Sequence, residues 1–263
     1  MSAPARSYKT RAIVLRARNL GEADKIFTLF TDARGKLDAV AKGVRRAKSQ
    51  VAGRLEFASE AQLGMHRGRN LDIITSADIT HSRFSSVTDP AAFATAHLLA
   101  ELIDAFCEPD LAMPDVYALL EGALAALAGA AEPAALVPRF ELRLLDALGF
   151  APAGDACVRC GDSLAERPAW ADLESGGLAC ERCRPHRADA LALGPDDVAN
   201  FQGLGAARSG RGVRAVLNAT PAAAKAIDAF VNYNLGKRPK SRTLLDDLAH
   251  LPAAREASQT ANG

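Results

Sequence analysis

Four of the five cysteines stand as two C-x-x-C pairs, Cys157 and Cys160 in CVRCG and Cys180 and Cys183 in CERC, with nineteen residues between the pairs. Each pair bends the backbone into a knuckle that aims two thiolates at one point, and two knuckles supply the tetrahedral set that zinc prefers. The spacing predicts one structural Zn2+ per chain, held by Cys157, Cys160, Cys180 and Cys183. With four protein ligands no coordination position stays open, so the ion supports the fold and does no chemistry. Gly161, Gly176 and Gly177 suit the tight turns around sulfur, Trp170 is expected to pack in the ribbon between the knuckles, and His186 is not needed as a ligand. Such a pattern belongs to a reducing compartment and argues against a disulfide framework. The fifth cysteine, Cys107, reads as a buried thiol.

The rest of the chain is sorted by charge. The 32 basic and 31 acidic residues nearly cancel, yet residues 1–80 carry 15 and 8, residues 81–150 carry 3 and 10, and residues 151–263 carry 14 and 13. Net charges of +7, −7 and +1 suggest separate modules with separate partners. The start, MSAPARSYKTR, has no apolar stretch, and the longest apolar run, Gly122 to Ala131, is half of the ~20 residues a spanning helix needs. No membrane role is expected, and a cytoplasmic, nucleoid-associated protein fits.

Five β-type runs occupy the basic segment: Tyr8 to Ala17, Lys25 to Thr31, Lys36 to Lys42, Leu55 to Met65 and Leu71 to Ile79. Asp32-Ala33-Arg34-Gly35 reads as a hairpin turn, with Gly35 free to take positive φ. Five short strands with the longest gap after the third match an OB-fold, although an SH3-like barrel or an open sheet would give similar signals. Directly after the third run comes AKGVRRAKSQ, Ala41 to Gln50, where Lys42, Arg45, Arg46 and Lys48 have no acid to offset them. A short basic loop is by default a solvated surface, but here it is also a candidate phosphate contact. Lys9, Arg11, Arg34, Lys36, Arg67 and Arg69 could extend that surface, while Arg16, Arg18 and Arg54 are assigned to solubility. Of the few aromatic residues, Phe27 or Phe30 should be core, so phosphate contact is favoured over base stacking.

Helical signals fill the remainder. Thr88-Asp89-Pro90 opens a helix running to Asp110, followed by helices over roughly Asp115 to Ala130 and Ala134 to Leu148, with Gly149 as a stop. His97 reads as a core or boundary residue. After the cysteines, Gly194-Pro195-Asp196-Asp197 and Thr220-Pro221 open two further helices. The second ends in Lys237, Arg238, Lys240 and Arg242, which either complement a helix dipole or lengthen the phosphate track. The fold class is therefore α+β and multidomain: an OB-fold barrel over 1–82, a helical bundle over 83–152 and 191–250, a zinc-binding insertion over 153–190, and a disordered tail over 251–263.

The segments YKTRAIVLRARNLGEADKIFTLFT, RGKLDAVAKGVRRAKS, ELRLLDALGFAP, the two knuckles and NYNLGKRPKSRTLL, in this order, resemble the bacterial recombination mediator family RecO. The resemblance implies an OB-fold, a helical bundle and binding of single- and double-stranded DNA, with annealing of complementary strands. It also implies work with RecR and the C-terminal tail of the single-stranded DNA-binding protein to load RecA. It places DNA contacts at Lys36, Lys42, Arg45, Arg46 and Lys48. The competing reading is a non-catalytic adaptor whose basic barrel docks an acidic peptide. An enzyme is disfavoured by the closed metal site and by the absence of a nucleophile and base pair, a Walker lysine loop or a dinucleotide fingerprint; Asp246 and Asp247 are adjacent and diverge on a helix.

Overall fold

A computed structural model of the chain describes residues 6–46, 55–82, 89–187, 190–206 and 218–250. Lys48, Arg54 and the expected tail 251–263 lie outside the described residues.

Five strands close into a barrel: β1 (Ser7–Leu20), β2 (Asp24–Thr31), β3 (Gly35–Ala41), β4 (Glu60–His66) and β5 (Asp72–His81), in the order β1-β2-β3-β5-β4. β3 and β5 run parallel and all other neighbours antiparallel, which gives the OB-like arrangement. The pleat decides where each apolar side chain goes. Ala12, Val14, Phe27 and Leu29 fill the barrel, whereas Ile13, Leu15 and Phe30 turn outward into a second core shared with the helices. Phe27 and Phe30 are both buried, one in each core. The fourth strand begins at Glu60, five residues later than the apolar run that starts at Leu55. The hydroxyl of Ser59 both donates to the Glu56 carbonyl (2.7 Å) and accepts from the Glu56 N–H (3.2 Å), a local turn that competes with the ladder.

The helical body comprises α1 (Pro90–Phe106), α2 (Pro114–Leu127), α3 (Val137–Ala147), α4 (Pro195–Ala206), α5 (Pro221–Leu235) and α6 (Lys240–His250). Asp89 caps α1 by accepting from the Ala91 N–H (2.9 Å), and Thr220 caps α5 by accepting from the Ala223 N–H (3.3 Å). α1 ends at Phe106, short of the Asp110 read from the sequence. The basic end of α5 is a break followed by a separate helix: Gly236 turns left-handed (φ +70°) and α6 starts at Lys240. The first N–H groups of α6 are satisfied from another helix, because the Glu101 carboxylate of α1 accepts from Lys240 (2.9 Å) and Ser241 (2.8 Å). Between α3 and α4 lies a three-stranded ribbon of β6 (Ala169–Asp172), β7 (Gly177–Cys180) and β8 (Ala192–Leu193), in the order β7-β6-β8. One apolar core runs continuously from the outer face of β1 and β2 through the helices to the ribbon. Among the described residues no helix is long and apolar enough to cross a membrane.

Barrel and helices meet closely at Gly35, where φ is +67° and an added Cβ would sit 1.8 Å from the Leu111 carbonyl oxygen. Gly21 has similar φ (+59°) with nothing within 4 Å. Gly21→Ala should therefore cost only the left-handed backbone penalty of about 1 kcal/mol, whereas Gly35→Ala should cost at least about 2 kcal/mol more. Urea denaturation of the two variants measures the difference, and equal losses would mean that the contact at Leu111 adds nothing.

Candidate metal centre and nucleic-acid interface

The ribbon brings the four predicted cysteines together, with all four Sγ atoms within 4.8 Å of one another. Cys160 and Cys180 Sγ are 3.7 Å apart, close to the roughly 3.8 Å that tetrahedral bonds of ~2.3 Å impose on neighbouring sulfurs. In the first knuckle the Gly161 N–H donates to the Cys157 carbonyl (2.9 Å), with Gly161 at φ +78°. The second knuckle is the end of β7 with the 3-10 turn Glu181–Cys183. Arg159 from the first knuckle pairs with the buried Asp172 at the end of β6, which ties the first knuckle to the hairpin carrying the second. Gly177 fits here because a Cβ would lie 2.4 Å from the Ala153 carbonyl oxygen. Trp170 lies in the central strand, β6, with the Arg184 guanidinium 5.8 Å over its ring. His186 is outside the cluster.

The thiols are electrostatically frustrated on their own. Burial opposes the Cys157 thiolate, but N–H groups of Cys180, Cys160 and Arg159 hold its pKa down to about 6. The hydrogen bond to Cys160, with burial, drives Cys183 the other way, up to about 12. A divalent cation removes the conflict by stabilising four thiolates at once, so the donor set fits a metal ion.

The predicted basic residues fall into two groups. Lys42, Arg45 and Arg46 are exposed on the turn leaving β3. That turn is fixed: Val44 is buried, the Arg45 N–H donates to the Ala23 carbonyl (2.9 Å), the Gly43 N–H to Asp24 (2.7 Å), and the Arg45 guanidinium to the Gly21 carbonyl (3.2 Å). Lys9 is exposed on β1, Arg67 and Arg69 on the β4–β5 turn, and Lys240 at the start of α6. Arg67 lies 5.6 Å over the Tyr8 ring, and Arg34 covers the same ring at 5.5 Å.

The second group is neutralised within the molecule. Arg34 donates to Tyr8 (2.8 Å), Asp72 (2.6 Å) and Asp110, and Lys36 donates to the Asp104 backbone carbonyl with its carboxylate 3.4 Å away. Arg11 pairs with Asp32 (3.2 Å) and lies 5.4 Å over the Tyr117 ring. Arg16 and Arg18, assigned to solubility, pair with Asp104 (2.8 Å) and Asp38 (3.5 Å). At the chain's basic end Arg238 pairs with Asp246; burial opposes the charge of the Glu101 carboxylate, but the Ser241 and Lys240 N–H groups, and after them Lys237, hold its pKa below the usual range. Arg242 points into the protein, 11% exposed, against Glu141 and Asp228 (2.9 Å). None of these partners is adjacent in sequence, so no local signal announces them.

A closed OB-like barrel, a helical body and a four-cysteine ribbon mark a barrel-and-helix protein with a cysteine cluster that could hold a metal ion and a basic barrel turn. Residues 1–83 match the family described as Recombination protein O N terminal, and residues 87–243 match Recombination protein O C terminal. The chain is 34% identical over 245 residues to the DNA repair protein RecO of Bifidobacterium longum, covering 91% of this chain and 98% of that one. It is 32% identical to the protein of the same name from Roseiflexus, covering 94% and 87%, and 35% identical to that of Heliobacterium modesticaldum, covering 76% and 74%. The chain belongs to the recombination protein O family, a family of DNA repair.

The inward Arg242 makes a test that separates structure from surface charge. Burial pushes the Glu141 carboxyl up to about 8, Arg242 pulls it down, and Asp228 pushes it up. Folded Glu141 thus keeps a proton that the unfolded chain, at about 4.3, has lost, so its contribution to stability is largest at low pH and is lost as pH rises through 8. Arg242→Ala removes the downward pull and should cost about 3 kcal/mol or more at pH 9, with a smaller loss at pH 6. Denaturation at both pH values checks this, and a pH-independent loss would contradict it.

Proposed function

We propose that this protein is a non-catalytic mediator of recombination in the cytoplasm that grips DNA by its phosphates. The observation that carries the reading is the fixed turn after β3: Lys42, Arg45 and Arg46 are exposed cations on a backbone held by Val44 and by hydrogen bonds to the β1–β2 turn. Pre-positioned cations lose little freedom on meeting a polyanion, and each neutralised phosphate releases condensed counterions. Lys9, Arg67 and Arg69 are further exposed cations of the barrel, and Lys48, outside the described residues, is proposed with them. A surface that screens phosphates and leaves base edges uncovered lets two complementary strands approach and pair, which is the chemistry of annealing. Family membership supports RecR, the tail of the single-stranded DNA-binding protein and, indirectly, RecA as partners in loading. The metal at Cys157, Cys160, Cys180 and Cys183 is assigned as zinc, one per chain, in a purely structural role.

Fluorescence anisotropy with single-stranded oligonucleotides should show binding that weakens with salt at a log-log slope of roughly −0.7 per phosphate contact, with little dependence on base sequence. Replacing Lys42, Arg45 and Arg46 together by Ala should flatten the slope by roughly 2 while leaving the melting curve in place. Absence of binding at low salt would overturn the mediator reading, and capture of an acidic peptide in its place would favour an adaptor.

Elemental analysis of the reduced protein should find about one zinc per chain, and chelation should lower the melting temperature. Another metal, or none, in protein purified without chelator would overturn the assignment.

A further inference from the structure

The stretch that follows α1 lies along the start of β3. Lys36 and Pro109 form a parallel bridge, the Asp110 N–H donates to the Lys36 carbonyl (2.8 Å), and the Leu111 carbonyl occupies the space that a side chain at position 35 would need. Asp110 itself is left-handed (φ +57°), a strained conformation for a residue with a Cβ. From this strap and the last turn of α1, two carboxylates reach three barrel cations. Asp104 takes Arg16 and Lys36, and Asp110 takes Arg34. The three side chains are 51%, 15% and 26% exposed in the order Arg16, Lys36, Arg34. They line a cleft of about 390 Å³ between barrel and strap, together with Asp38, Asp72, Asp104 and Asp110. Three cations against four carboxylates make the cleft repel phosphate as it stands. Without the two carboxylates from the strap and α1, three cations would face two, and the sign of the cleft would reverse.

We propose that Arg16, Arg34 and Lys36 form a latent second site for nucleic-acid backbone phosphate, masked by Asp104 and Asp110. The inference rests on the reading of the barrel as a DNA-binding module and adds a regulation to it. The masked cations share the barrel with the open turn at Lys42, so DNA held there has phosphates available to compete for them. The exchange is one of ion-pair partners: one phosphate takes the place of each of the two masking carboxylates, and the freed carboxylates turn to water. Affinity in the masked state is thereby held below what the barrel's +7 segment could deliver.

The test is a gain of binding. Asp104→Asn with Asp110→Asn keeps side-chain size and removes two negative charges. It should bind a single-stranded oligonucleotide roughly three- to tenfold more tightly at about 0.1 M salt. Its log-log salt slope should be steeper by roughly 1.4, the signature of two added phosphate contacts. Adding Arg16→Gln and Lys36→Gln to that variant should remove the gain. Should the double variant melt early, Asp110→Asn alone, whose side chain is 59% exposed, carries the same test with about half the change in slope. If the parent binds and the Asn variants match it in affinity and slope, the latent site is refuted while the proposed function stands. If neither parent nor variant binds at low salt, both fail.

Discussion

A β-strand can bury both faces only when something covers the outside of its sheet, and the protein depends on this condition being met at β1 and β2. Ile13, Leu15 and Phe30 leave the barrel on the opposite side from Val14, Phe27 and Leu29, and the helices cover them, with Phe30 stacked on Tyr117 of α2 at 6.2 Å. Burying one such side chain contributes about 1.5 to 3 kcal/mol, against about 0 to 1 kcal/mol for an exposed ion pair. Apolar contact therefore fixes how barrel and helices dock. The ion pairs around it, half-exposed at Arg16 and more covered at Lys36 and Arg34, add to that contact.

That seam changes the meaning of the charge pattern. Segments of +7 and −7 suggest two modules with different partners, yet part of each charge is the partner of the other. Arg16 and Lys36 meet Asp104, Arg34 meets Asp110, and Arg11 lies 4.0 Å from Glu121. Among the described residues, Lys42, Arg45 and Arg46 stay exposed on the turn after β3. Similarly, the basic end of the chain is mostly consumed by α6, whose first N–H groups rest on Glu101 and whose Arg242 enters a buried cluster with Glu141.

The four-cysteine centre follows a different logic. Its four Sγ atoms lie within 4.8 Å of one another, a donor set that could hold a metal ion. Because the ribbon shares its core with the helices, order imposed at the sulfurs extends into the body that supports the barrel.

Whatever depends on short-range spacing was legible in the residues alone. The cysteine pairs predicted the cluster, period-two runs the five strands, capping residues at Asp89 and Thr220 two helix starts, and the hairpin glycine the turn at Gly35. The resemblance carried by its ordered segments pointed to the family. The docking of barrel on helices sets which cations are paired, where α6 begins and why Gly35 admits no side chain. Each of those depends on a partner far along the chain: Asp104 for Lys36, Glu101 for Lys240, Leu111 for Gly35. A positive residue reads the same in sequence whether it faces water or a carboxylate, because the pairing is made by the docking of barrel on helices and leaves no local periodicity.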